Sequence, residues 1–467
     1  MDPKIYRSKG KANRPAPGAL CQGTGSVLVD KKSLMDLGIL PNAGGEWPLG
    51  RLLDHTHSRP GLDALKGLLA APLDDPVHIA TRQQLLRALP DALRHVPWAS
   101  MVALAKDVEG YLDSNYVICP NTHAACVVFA LRYPVIASYI ESKLVVVSQL
   151  LEISRAIHDR LAMHGGGALF KEIAVAIDDV VSDPFCIALR AAVDAPTSRR
   201  LRLCVLDERL RVRLQDAMRR LIAALYQLDA FSSLATAASA PGLSYPEFAA
   251  DDAVGFWVEG IRHPLLEHGV VNDVAVSGRE RVMFLTGPNM AGKSTLLRAI
   301  GITVHFAHIG LPVPAAHARL PRVGRLISSL SVDDSIARGE SLYLAEVRRV
   351  KSVVNAVADG AVVVALLDEV FRGTNAKDAI DATALLVDGL AQAPAGLFVI
   401  ASHLVEVAEG RDRHAGIGLW CMAVDDDGDQ HAFTYALRRG VSDVRLGMLM
   451  LESEGVAGML RRLAHRE

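Results

Sequence analysis

The sequence predicts two parts: an all-helical domain, then an α/β domain whose mostly parallel sheet is flanked by helices. Three observations carry this expectation. From Leu52 to about Leu234 apolar residues recur at helical spacing, with few strand or hairpin signals. After about Ala240, short β-rich runs (Val282–Thr286, Val362–Leu367, Leu397–Ser402) alternate with helical segments, as strands joined by crossover helices do. A glycine-rich loop, Gly287 to Thr295, separates the first of these runs from the helix that follows it. A chain of 467 residues is long enough for such a division.

Residues 1–45 read as a basic tail. Up to about residue 25, Lys4, Arg7, Lys9, Lys11 and Arg14 face one acid, Asp2, with Gly and Pro between them and no apolar period. Such composition predicts a solvated, flexible segment, with a DNA-tracking arm as the sharper alternative. Residues 46–238 read as the helical domain. Leu62, Leu65, Leu68 and Leu69 share one helical face, as do Leu85, Leu86 and Leu89, and an apolar-rich stretch runs from Ile136 to Ile157. Gly165 to Gly167 predict a turn between helices. A single helix is expected over 199–220, where eight arginines face three acids. Arg202, Arg209, Arg213 and Arg220 then fall within about 40° of one line. Leu203, Leu210, Leu214 and Leu221 form a parallel apolar stripe. That face is either an ordinary solvated one or a row of phosphate contacts. Residues 239–467 read as the α/β domain, with a hairpin turn at Asp425–Gly428.

Composition narrows the function. Lys and Arg total 50 against 52 Asp and Glu, so nucleic acid cannot be held by bulk positive charge and would need a local patch. Half the residues are apolar, which argues for a folded chain rather than a disordered one. Apolar runs such as Leu144–Leu151 are short for a membrane span, and no secretory signal opens the chain. The six cysteines contain no Cys-x-x-Cys pair, which predicts neither a zinc site nor a disulfide framework and fits a reducing cytoplasm.

The chemistry-bearing residues lie in the α/β part. Gly287, Pro288, Asn289, Met290, Ala291, Gly292, Lys293, Ser294 and Thr295 fit the P-loop pattern, between an apolar strand and a helix. Its glycines let backbone N–H groups curl round phosphate oxygens, and the helix N-terminus adds its positive end. Lys293 is expected on the β- and γ-phosphates of ATP and Ser294 on Mg²⁺. The strand ending at Leu367 runs into Asp368 and Glu369, the first suited to Mg²⁺ and the second to orienting water. His403, just past another strand, is placed to face the γ-phosphate.

These residues carry a resemblance to the MutS family of DNA mismatch-repair ATPases. The Pro-Asn-Met inside the P-loop is that family's version. Arg262-His263-Pro264, Asn272-Asp273, Pro312 to Ala315, Val332 to Ile336, Gly339 to Glu346, Asp368-Glu369 with Arg372 to Thr374, and His403 match its ATPase. Gly440 to Ser442, Leu446-Gly447 and Gly455-Val456 resemble its subunit-pairing segment. Leu53-Asp54, Thr56, Gly61, Pro72-Leu73, Arg82-Gln83 and Leu228-Asp229 resemble its helical lever.

The resemblance implies a homodimer in which Ser341 acts in trans on the partner's nucleotide. It also implies that His263 and Asn272 join the nucleotide site. It implies double-stranded DNA as partner, with repair or recombination proteins as further partners and a cytoplasmic or nucleoid-associated location. The short stretch before the lever predicts no mismatch-reading or connector domain, and the size of the helical part predicts a reduced or missing clamp. No aromatic for an adenine base stands near Asn272, where Gly269 and Val270 occur. The alternative expectation is an ABC-like mechanochemical ATPase acting on a protein partner.

Overall fold

The computed structural model describes residues 28–163, 168–195, 197–249, 255–330, 342–426, 431–442 and 455–464. Its strands are β1 (Leu28–Val29), β2 (Glu247–Phe248), β3 (Phe256–Ile261), β4 (Asn272–Val276), β5 (Val282–Thr286), β6 (His317–Leu320), β7 (Arg325–Ser329), β8 (Val363–Asp368), β9 (Leu397–Ala401), β10 (Ile417–Asp426) and β11 (His431–Arg439). Seven of them form one sheet in the order β1-β7-β8-β9-β5-β10-β11. All neighbours in it are parallel except the edge pair β10–β11. A smaller sheet runs β2-β6-β3-β4.

Every residue of β5 and β9 is buried, and so is β8 up to Leu367. Strands covered on both faces need continuous apolar runs, which is why the sequence shows no alternation there. The helix Lys293–His308 packs on β7, β8 and β9, Leu342–Ala358 on β7 and β8, and Ala376–Leu390 on β5. Phe284, Val353, Leu367, Val387, Phe398 and Ile400 meet in the resulting core. The hairpin expected near Asp425 has its two strands paired, Asp426 opposite His431, while 427–430 lie outside the described residues.

The chain divides into two compact units. Leu53–Leu68 and Ala80–Ser239 make one; 28–52, Leu69–Ile79 and the described residues from Ala240 onward make the other. This corrects the boundaries read from sequence, because 28–52 belong to the α/β unit rather than to a tail or a lever. β1 pairs in parallel with β7 at the sheet edge. Asp30 caps the helix Lys31–Asp36 by accepting from the Ser33 N–H. Asp36, almost buried, accepts from Ser328 Oγ and the Leu330 N–H. Arg349 reaches Asp30 at 2.8 Å, and Leu37 packs so closely on Gly301 that a Cβ there would lie 2.5 Å from it. Residues 69–79 are held by the P-loop helix: the Leu73 N–H donates to the His308 carbonyl, and His305 Nε2 lies 2.9 Å from the Leu69 carbonyl. Burial pushes His305 down to about 3 and His308 to about 4, so both are neutral spacers in this core.

Among the described residues the other unit is all helical. The helix Pro134–Met163 is its hub, touching Trp98–Leu112, His123–Arg132, Ala168–Val181, Pro184–Val193 and Arg199–Cys204. Among its buried residues, Ala137, Ile140, Leu144, Val147, Leu151, Ser154, Ile157 and Leu161 recur every three or four positions, with Ser148 and Leu150 widening the buried face. The turn expected at Gly165–Gly167 lies outside the described residues. Pro134–Met163 and Gln215–Ala238 are both long and apolar enough to cross a membrane by length and composition, a property the short apolar runs did not suggest. Gln215–Ala238 has 78% of its most apolar window buried within the protein, which is how a core helix behaves.

The first and last helices of this unit are joined through Asp229, whose side chain is fully buried. Its carboxylate accepts from the His57 N–H at 3.0 Å and from Ser58 Oγ at 2.8 Å, with His57 Nδ1 at 3.1 Å. Ser58 Oγ in turn accepts from the Gly61 N–H. Only glycine fits at 61: a Cβ would lie 2.2 Å from Asp229 Oδ2. Gly61→Ala therefore breaks this network and is expected to lower stability by about 1–3 kcal/mol. Chemical denaturation of the full chain checks this, and an unchanged midpoint would show that the junction yields without cost.

Candidate functional site: a phosphate loop facing two strand ends

β5 ends at Thr286, whose hydroxyl donates to the Trp420 carbonyl and accepts from the Ser442 N–H. The chain then turns through Gly287 at φ 140° and Gly292 at φ 98°, and the 16-residue helix Lys293–His308 begins. Those backbone angles favour glycine, because an L side chain there crowds its own carbonyl. Met290 also has positive φ and is 71% exposed. The Lys293 ammonium is buried and donates to the carbonyls of Gly287 at 2.7 Å and Pro288 at 3.0 Å, closing the loop on itself. Burial lowers its pKa, while Glu369 and Asp368 pull the other way.

Ser294, one residue on, donates its hydroxyl to the Asp368 carboxylate. Asp368 is the last residue of β8; burial raises its pKa and the Ser294 hydrogen bond opposes that shift. A hydroxyl beside a carboxylate at the mouth of a phosphate loop is a hard oxygen donor pair, and it suits Mg²⁺.

Glu369 sits at φ 48°, an uncommon angle for a side-chain-bearing residue, and its N–H donates to the Ala401 carbonyl at 2.9 Å. That bond ties the end of β8 to the end of β9. His403, two residues past β9, brings Nδ1 to 3.9 Å from the Glu369 carboxylate, and Arg372 lies 3.4 Å from the same group. Arg372 also lies 3.8 Å from Glu346, whose carboxylate accepts from the Gly373 N–H. Burial raises the Glu346 pKa.

Residues 283–462 match the family profile of MutS domain V. This stretch is similar to MutS proteins, and the similarity extends over about half of the chain. It is 33% identical over 255 residues to the DNA mismatch repair protein MutS 2 of Halobacterium salinarum, an alignment covering 53% of this chain and 29% of that protein. It is 31% identical over 245 residues to the DNA mismatch repair protein MutS of Thermosipho melanesiensis, covering 52% and 29%. With the DNA mismatch repair protein MutS of Chlorobium phaeobacteroides it shares 32% over 244 residues, covering 51% and 27%. The aligned part is thus under a third of the length of these MutS relatives.

Other residues expected at a MutS site fall differently. The Asn272 amide is spent on β11: Nδ2 donates to the Tyr435 carbonyl at 3.1 Å and Oδ1 accepts from the Leu437 N–H at 2.6 Å. Asn272 therefore positions that strand rather than pointing its amide at a nucleotide. His263 is held neutral, pushed down to about 4 by burial and by Arg298. Ser341 and the stretches 331–340 and 443–454 lie outside the described residues.

Sequence reasoning missed Tyr435. It has φ 54°, is 45% exposed, and stacks on Phe433 with ring centroids 6.0 Å apart. Its Cδ1 would lie 3.2 Å from a Cβ at Gly292, so its ring flanks the loop. The expectation of no aromatic concerns the stretch near Asn272; the ring beside Gly292 comes instead from β11.

The arginine helix is also corrected. The segment forms a short helix, Arg199–Cys204, a π-helical turn, Arg209–Arg213, and the long helix Gln215–Ala238. Within the π-helical turn Arg211 points inward and donates to the carbonyls of Ser114 and Tyr116. Arg209 pairs with Asp183 at 2.8 Å and Arg213 with Glu208 at 3.8 Å, while Arg202 and Arg220 are exposed. The four do not form one continuous stripe.

Tyr435→Ala is expected to weaken ATP binding roughly 3- to 10-fold, the scale of one aromatic contact, while leaving inorganic triphosphate binding unchanged. Calorimetry with both ligands checks this. Equal losses would mean that Tyr435 acts only by shaping the loop at Gly292.

Proposed function

We propose that this chain is a MutS-type protein that binds and hydrolyses ATP and couples that cycle to DNA held by its helical unit. The observation that carries the reading is the meeting of Lys293, Ser294, Asp368, Glu369 and His403 at the ends of three neighbouring strands. In this reading Gly287–Thr295 wraps the phosphates and Lys293 leaves its loop carbonyls for the β- and γ-phosphates. Ser294 and Asp368 would hold Mg²⁺, which neutralises phosphate charge when bound. Glu369 accepts a hydrogen bond from the attacking water and orients it, and His403 donates toward the γ-phosphate. Ser341 reaches the nucleotide of a second copy, and mutual use of that contact requires a two-fold dimer. The helical levers shift because ATP binds the closed dimer more tightly than the open one.

The names of the relatives, which are DNA mismatch repair proteins, support DNA as the partner. The broken arginine segment, with Arg209 and Arg213 already engaged by acids, favours a second reading in which the levers hold a protein. ATP turnover measured with linear, mismatched and four-way DNA at low and high salt separates them. The DNA reading predicts stimulation that falls steeply as salt rises. No DNA binding at low salt would move the assignment to a protein partner.

A further inference from the structure

The helical unit gathers three cysteines, two of them seven residues apart and the third some 80 residues further on. Cys119 lies in the loop before the helix His123–Arg132, Cys126 is on that helix, and Cys204 ends Arg199–Cys204. All three are fully buried, and their sulfurs lie within 4.8 Å of one another. Cys119 and Cys126 are 3.3 Å apart. We propose that Cys119, Cys126 and Cys204 form a three-thiolate site for a soft metal ion of the Cu⁺ or Zn²⁺ class.

Geometry supports this. Metal–thiolate bonds of about 2.3 Å around a common centre put ligand sulfurs roughly 4 Å apart, within the spread seen here. Buried cysteines packed merely as small apolar groups have no reason to converge from three segments on one point. The donor set is sulfur, which selects soft ions over Mg²⁺ or Ca²⁺. With three ligands and no exposed sulfur, the site suits three-coordinate Cu⁺ directly, whereas Zn²⁺ requires a fourth donor.

The surroundings fix the ligands. The Cys119 N–H donates to Asp207 at 2.8 Å, and Asp207 is held by the Tyr111 hydroxyl at 2.5 Å and by Arg211 at 3.8 Å. The Arg211 guanidinium also sets positive charge close to this acid. On binding, each thiol gives up its proton to solvent and its sulfur bonds the ion; no electron changes hands. Because the site is sealed, loading accompanies folding. The ion would clip the 113–122 loop to two helices and so stiffen the segment that leads into the arginines.

The test uses the full chain, refolded without oxygen in the presence of one equivalent of Cu⁺ or of Zn²⁺ and then challenged with a chelator. One retained ion per chain is expected, with sulfur neighbours at about 2.3 Å by X-ray absorption. Three sulfurs alone would assign Cu⁺, and three sulfurs with a fourth donor Zn²⁺. Cys126→Ser should weaken retention about 100-fold or more, whereas Cys186→Ser, outside the cluster, should not. Loss of both ions to the chelator, a shell without sulfur, or full retention in Cys126→Ser would each overturn the proposal. The absorption spectrum of the unaltered chain decides the matter even if the serine variant fails to fold.

Discussion

The site depends on the register of three parallel strands. Ala401 of β9 stands opposite Leu285 of β5 on one side and Asp368 of β8 on the other. That alignment sets the first glycine of the loop, the two acids and His403 within two residues of a common line. A slip of one residue would turn Asp368 away from Ser294 and carry the apolar side chains of β8 to the opposite face. The buried core on both faces of β5, β8 and β9 forbids such a slip, so the packing of Phe284, Leu367 and Ile400 also fixes the chemistry. The backbone at Glu369 is held in its uncommon conformation by the same junction, through its bond to Ala401.

What was legible in the sequence was local. The phosphate loop, the acid pair and His403 each follow an apolar run directly, so strand, turn and chemistry are read from one short window. The α/β class followed from the same runs. The helical unit was legible for the same reason, since Pro134–Met163 shows its buried face in its own spacing.

The misses were contacts between distant segments. Residues 28–52 looked like a tail because only two residues of β1 join the sheet and the helix after it has six. Their membership rests on Asp30, Asp36 and Leu37 meeting partners some 300 positions away, which no periodicity reveals. Tyr435 reaches the loop because Asn272 grips β11. The arginine stripe needs one unbroken helix, whereas a π-helical turn interrupts it and Arg211 in that turn donates to the carbonyls of Ser114 and Tyr116. Cys204 lies some 80 positions from Cys119 and Cys126, so only folding brings the three together.

At the centre stands the claim that Glu369, strained at the end of β8 and flanked by Arg372 and His403, orients the water that attacks ATP. The most direct measurement is the steady-state turnover of the full chain beside Glu369→Gln, with ATP affinity recorded for both. The account predicts near-unchanged ATP binding and a turnover lower by on the order of 10²-fold or more. Turnover equal to that of the unaltered chain would contradict it.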